Sequence, residues 1–272
     1  MGIRNCIAAL ATVAWTTAVL SVPVRSATGG RNIVALNGGG EESTAILYVQ
    51  DGLVAMFDGR ENAGWGVHDH NPSEWKSLVS EDAIPLSAED CAVGDTHVVT
   101  ASGRNIGGIV SALTGMPYSQ DNPVTIEVVF SIVSYPTYAP FVSLGGRELR
   151  TYADTNIRSM RTEIAAPGRA ANKAATCIVS TTINSTLVNS FSFMISQVPN
   201  SGIGDTTVAV NGSYVSPSRR SVVNFSLASD ELVIGFSTTG SVQIYCIRIY
   251  DRALSAEETV YNFEVDKARY MR

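Results

Sequence analysis

Gly240-Ser-Val-Gln-Ile-Tyr-Cys-Ile-Arg-Ile-Tyr-Asp-Arg-Ala-Leu-Ser-Ala-Glu-Glu258 holds two kinds of local order in nineteen residues. From Val242 to Tyr250 β-formers fall on both alternating faces, Val242, Ile244 and Cys246 against Tyr245, Ile247 and Ile249, which is the pattern of a strand covered on both sides. After the turn at Asp251-Arg252 the period changes. Ser255 with Glu258 three residues on is a capping box, in which each side chain satisfies an otherwise unpaired backbone N–H of the other at a helix start. The expectation is a core strand followed by a short terminal helix, roughly Ala256 to Arg269.

Working outward, the chain upstream is rich in short β runs separated by Gly, Pro and Asn. Strands are expected at Gly52–Phe57, Val93–Thr100, Pro123–Val133, Phe141–Leu144, Leu149–Tyr152, Ser159–Ile164, Cys177–Ile183, Ser190–Gln197, Thr206–Val210, Ser221–Leu227 and Leu232–Ser237. The strongest of these runs is Val124-Thr-Ile-Glu-Val-Val-Phe-Ser-Ile-Val133. Short strands at near-regular spacing, with helix only at the end, are what an antiparallel two-sheet sandwich requires. From Thr28 to Gln50 the chain reads as a separate hairpin, Asn32–Leu36 and Thr44–Val49 around Asn37-Gly-Gly-Gly40. No Lys-Ser/Thr follows that glycine run and no helix opens after it, so a turn is favoured over a phosphate cradle.

Three segments resemble one family. Arg248-Ile-Tyr-Asp-Arg-Ala-Leu-Ser-Ala-Glu-Glu258 is similar to the closing strand and helix of laminin-G-like, concanavalin A-like jelly rolls of bacterial secreted proteins. Asp51-Gly-Leu-Val-Ala-Met-Phe-Asp-Gly-Arg-Glu-Asn-Ala-Gly-Trp65, running on to Trp75-Lys-Ser-Leu78, resembles the family's opening strand and first loop. Val208-Ala-Val-Asn-Gly212 resembles its "V-x-V-N-G" hairpin. The resemblance implies an all-β, antiparallel two-sheet jelly-roll sandwich with a short C-terminal helix, over residues 51–272. It further implies a secreted or cell-surface recognition module that binds carbohydrate in the manner of a lectin, with no chemistry of its own. A structural or adhesive protein-binding component of a surface assembly is the alternative, and a glycoside hydrolase of the same fold comes third.

The N-terminus reads as a targeting segment. Arg4 precedes an apolar run from Cys6 to Val22, Pro23 ends it, and Val24-x-Ser26 offers small residues for signal-peptidase cleavage. Residues 1–26 are therefore expected to be a signal peptide, with 27–50 as a hairpin or arm. An uncleaved anchor is the rival reading and the one route to a membrane. Without residues 1–26 the chain keeps 17 basic and 25 acidic residues, a net charge of −8. That sign disfavours nucleic acid and anionic lipid as partners; a glycan or a surface protein is the partner that the resemblance implies. Cys91, Cys177 and Cys246 are too few and too widely spaced for a disulfide scaffold or a zinc knuckle, and Cys246 reads as a small core residue.

Catalysis by paired carboxylates has little support. Retaining glycosidases hold two carboxyl groups about 5–5.5 Å apart. Here Glu127 stands without a second acid two or four residues on, and Glu264-Val-Asp266 falls on the terminal helix. The pair His68-Asp-His70 lacks the i, i+4 spacing of a metalloprotease helix, so loop-anchoring or solvent-facing histidines are the simpler reading. Calcium is the better metal expectation, since it takes oxygen ligands from irregular loops. Asp58, Asn62 and Asp69 are the candidate ligands, weighed against what the resemblance implies, a metal-free loop in which Asp58 and a Trp pin the chain to the sheet. Sugar binding asks for exposed aromatic platforms with polar neighbours. The candidates are Trp65, His68, His70, Tyr118 and Tyr138, whereas Trp75 reads as core.

Overall fold

Ser241–Tyr250 is a ten-residue strand that runs through the largest sheet. The computed structural model describes residues 47–116, 122–134, 141–144, 149–154, 159–164, 179–182, 187–195, 206–215, 230–236 and 238–271, all within the compact unit 39–272. In chain order the described strands are β1 (Leu53–Asp58), β2 (Glu74–Lys76), β3 (Ala83–Pro85), β4 (Cys91–Val93), β5 (Val98–Thr100), β6 (Asn105–Ile109), β7 (Val124–Ser134) and β8 (Val142–Leu144). They continue with β9 (Leu149–Asp154), β10 (Ser159–Ile164), β11 (Val179–Thr182), β12 (Asn189–Ile195), β13 (Thr206–Val210), β14 (Ser213–Val215), β15 (Glu231–Gly235) and β16 (Ser241–Tyr250), and the chain closes with helix α1 (Ala256–Tyr270).

The main sheet has the order β14-β13-β12-β7-β16-β5-β4, and β1 pairs with β16 on the same side as β5. All its described pairings are antiparallel. A second sheet runs β6-β15-β8, and two small sheets, β11-β10-β9 and β2-β3, complete the described strands. The architecture is mostly antiparallel β with one C-terminal helix, as the sequence implies.

One core joins the main sheet and the second. From the main sheet come Ala55, Phe57, Val124, Ile126, Val128, Phe130, Phe191, Val208, Val242, Ile244, Ile247 and Ile249, and from the second Ile106, Val142, Leu144, Leu232 and Ile234. Phe141 bridges Phe130 and Phe236, with ring centroids 4.7 and 5.7 Å apart. Each fully buried Ile, Val or Phe contributes about 1.5–3 kcal/mol relative to exposure, so this layer supplies the main driving force for the fold.

Two expected strands are built differently. The single run Val93–Thr100 is a tight hairpin, β4 and β5, in which the turn residues Gly94–His97 break the ladder. Of the expected strand Thr44–Val49 the described part, Leu47–Val49, is not a strand: Tyr48 is buried against the other face of the main sheet, and the Val49 amide donates to Asn262 Oδ1 at 3.0 Å. Ser221–Leu227 lies outside the described residues. The Asn211-Gly212 turn joins β13 to β14 with both residues at positive φ, 49° and 72°, the conformation of the favoured two-residue hairpin.

Helix α1 covers the face of the main sheet opposite the core. Its capping box is formed: Glu258 N–H donates to Ser255 Oγ at 3.2 Å and Ser255 N–H donates to Glu258 Oε2 at 2.8 Å. The buried stripe of α1 is Thr259, Asn262, Asp266 and Tyr270, one face at helical spacing but largely polar. Such a face is buried only where the sheet answers it with polar partners.

Candidate functional site

The sheet's answer is Arg248. Its guanidinium donates to Asp266 through Nη1 and Nη2, at 2.7 and 2.8 Å, and through Nε to Glu127 Oε2 at 2.8 Å. Asn262 Nδ2 donates to the same Glu127 oxygen and to Tyr250 Oη, at 2.8 and 2.9 Å, and Ser190 Oγ donates to Asp266 Oδ2 at 2.8 Å. The Tyr48 ring covers the guanidinium, 4.0 Å from its centroid. Burial works against the Arg248 charge, but Asp266 and then Glu127 outweigh it and hold its pKa well above the ordinary value. Burial pushes the Glu127 carboxyl up, against the pull of Arg248. Glu127, isolated along its strand, thus shares a cation with Asp266 of the helix. Both are enclosed, with 1% and 0% exposure, so the cluster binds helix to sheet and is closed to a substrate.

Asp58 belongs to a second, adjoining clamp. Its Oδ2 accepts from Arg269 Nη2 at 2.6 Å and from Tyr270 Oη at 2.7 Å, its Oδ1 accepts from the Arg60 amide at 2.8 Å, and its carbonyl accepts from Trp75 Nε1 at 2.9 Å. Trp75 is fully buried, as the sequence reading expects, and pins the loop. Asn62, also fully buried, closes that loop on itself: Nδ2 donates to the Asp69 carbonyl at 2.7 Å and Oδ1 accepts from the Asp69 amide at 2.8 Å. The Asp69 carboxylate accepts instead from the Asn71 amide at 2.8 Å. Of the residues grouped above as calcium candidates, Asp58 thus meets Arg269, Tyr270 and the Arg60 amide, the Asn62 side chain meets the Asp69 backbone, and the Asp69 carboxylate meets the Asn71 amide.

What the loop presents to solvent is aromatic. Turn bonds from Gly64 to Glu61, Val67 to Gly64 and Ala63 to Val67 raise a tip at residues 63–67. Gly64 and Gly66 adopt φ of 118° and 64°, and a Cβ at either would meet nothing within 4 Å, so backbone conformation rather than crowding explains glycine there. Between them Trp65 is 40% exposed and Val67 stands out further. His70 is exposed, and His68 is half-buried with its ring edge-to-face against His70, centroids 4.7 Å apart. Sequence reasoning missed the neighbour of this pair, Asp95, whose Oδ1 lies 3.7 Å from His70 Nδ1. Gly59 brings it there: a Cβ on Gly59 would sit 2.4 Å from the Thr96 carbonyl oxygen, so the β4–β5 turn rests directly on the loop backbone. Tyr118 and Tyr138 lie outside the described residues.

No family model matches the chain, and no curated protein matches it. Solved structures do resemble it. The Trypanosoma rangeli sialidase in complex with sialic acid superposes with a TM-score of 0.57 at 14% identity, over 80% of this chain and 33% of that one. The binding domain of Paraclostridial Mosquitocidal Protein 1 gives a TM-score of 0.54 at 12% identity, over 78% of this chain and 52% of that one. The receptor-binding domain of Botulinum Neurotoxin type G gives 0.54 at 10% identity, over 79% and 52%. The chain thus spans a third of the sialidase's length and about half of the toxin domains'. At these identities the likeness is one of β-rich fold. Among the described residues no helix is long and apolar enough to cross a membrane.

Proposed function

We propose that the chain is an exported, non-catalytic recognition module of laminin-G-like, concanavalin A-like jelly-roll type that binds carbohydrate at the loop tip carrying Trp65. The observation that carries this reading is a tryptophan held in solvent by a loop whose base is tied down by Asn62, Asp58 and Trp75. An exposed indole on a braced loop is a platform for the apolar face of a pyranose, and His70 and Asp69 of the same loop are the groups to contact its hydroxyls. The absence of chemistry is argued from Glu127 and Asp266, the carboxylates that come together on Arg248: they are buried and hydrogen-bonded, without the solvent path a water nucleophile needs. The structural neighbours, a sialidase and toxin binding domains by their titles, are compatible with a glycan or protein partner. Export is argued from the apolar segment ending at Pro23.

A glycan array probed with the full-length protein and with Trp65→Ala tests the proposal. The expected result is saturable binding to a glycan class, lost in the variant, with the melting temperature unchanged. Binding that survives Trp65→Ala, or no glycan signal alongside capture of a surface protein, would replace it with the adhesive reading. Release of reducing sugar that disappears in Glu127→Gln would replace it with the hydrolase.

A further inference from the structure

We infer that His68, His70 and Asp95 form a binding site for one divalent transition-metal ion of the zinc class. One ligand atom from each of the three residues lies within 4.8 Å of the others. Zinc holds nitrogen and oxygen donors at about 2.0–2.2 Å in a tetrahedron, so two donors on one ion stand about 3.3–3.6 Å apart. The His70–Asp95 pair, at 3.7 Å, lies just outside that range. The remaining closure needs rotation of His70 and Asp95, both exposed.

A second observation is independent of these distances. Both ring nitrogens of His68 are shielded from solvent, and neither has a hydrogen-bond partner. A shielded polar atom without a partner is destabilising, and a bound cation beside the ring removes that cost for one nitrogen. Two imidazoles with one carboxylate suit zinc, nickel or copper rather than calcium, whose ligands are oxygens. Three protein ligands also leave a position open to water or to a group on a bound partner. The site spans two elements, since His68 and His70 belong to the first loop and Asp95 to the β4–β5 turn. An ion there would fasten the segment carrying Trp65 to the sheet edge. The inference does not depend on glycan binding and stands or falls separately from it.

Isothermal titration of the chelator-stripped full chain with zinc chloride, with calcium chloride in parallel, tests the assignment. Expected is one saturable zinc event per chain and none for calcium. His70→Ala and Asp95→Asn should each weaken zinc binding by more than about tenfold, since even the outer-shell partners of a metal are worth that much. Both side chains are exposed, so the melting temperatures of the metal-free variants should match the parent. No saturable zinc uptake, or uptake unchanged in both variants, overturns the assignment. The second result would place the ion on another group.

Discussion

Arg248 and Asp266 form a two-pronged ion pair between the last strand and the last helix, with both nitrogen–oxygen distances below 3 Å. The guanidinium also holds Glu127, so a single cation ties the sheet to a helix whose inward stripe is polar. Removing one member of a buried ion pair leaves an uncompensated charge and costs about 3–5 kcal/mol, whereas replacing the whole set by apolar groups is often neutral. Arg248→Met is therefore expected to lower stability by about 3–5 kcal/mol in urea denaturation. Combining it with Glu127→Leu and Asp266→Leu should recover much of that loss. A triple variant weaker than the single one would show that packing, and not unpaired charge, sets the cost.

Acidification should act on the helix start. The Glu258 carboxylate accepts from Arg252 Nη2 and Nη1, at 2.7 and 2.9 Å, as well as from the Ser255 amide. The hydrogen bond from Arg252, ahead of the opposing burial, holds the Glu258 pKa below its ordinary value. A proton thus binds the unfolded chain more readily than the folded one. The contribution is present in full above the ordinary glutamate value of 4.5 and is lost as pH falls through the folded value. The denaturation midpoints of the parent and Glu258→Gln should differ most near neutral pH and converge below pH 4.5. A gap that widens in acid would contradict the sign.

Gly59→Ala should loosen the contact between the first loop and the β4–β5 turn. The added methyl would meet backbone, the Thr96 carbonyl at 2.4 Å, and cannot be relieved by turning a side chain. Overpacking of this kind costs about 1–3 kcal/mol. The variant should melt lower and, because Asp95 moves with Thr96, also lose zinc affinity in the titration above. An unchanged melting temperature would mean that the turn yields freely.

Much of the framework is legible in the residues themselves. The capping box Ser255/Glu258, the Asn211-Gly212 turn, and the runs that become β7, β12, β13 and β16 are local signals, and local signals survive folding. The two faces of β16 are not legible. Cys246 pairs with Val129 while Ile244 pairs with Phe130, so Tyr245 is an extra residue in the ladder. That bulge reverses the alternation: Val242 and Ile244 face the core before it, Ile247 and Ile249 after it, and Cys246 turns to the helix side. Strict alternation along Val242–Tyr250 therefore assigns half of the strand to the wrong layer. It also hides Arg248, which the bulge aims at α1. Glu127 and Arg248 are 121 positions apart, and Asp95 lies 25 beyond His70, separations that no spacing rule reaches. The same limit applies to Asp58, whose partners Arg269 and Tyr270 lie more than 200 positions away.

The strand through the main sheet follows, in order of synthesis, every strand with which it pairs. β1, β5 and β7 leave the ribosome before the neighbour that pairs with their edges, residues 241–250. The main sheet is therefore completed only when that segment emerges. The completeness of the main sheet is thus set by the arrival of one segment.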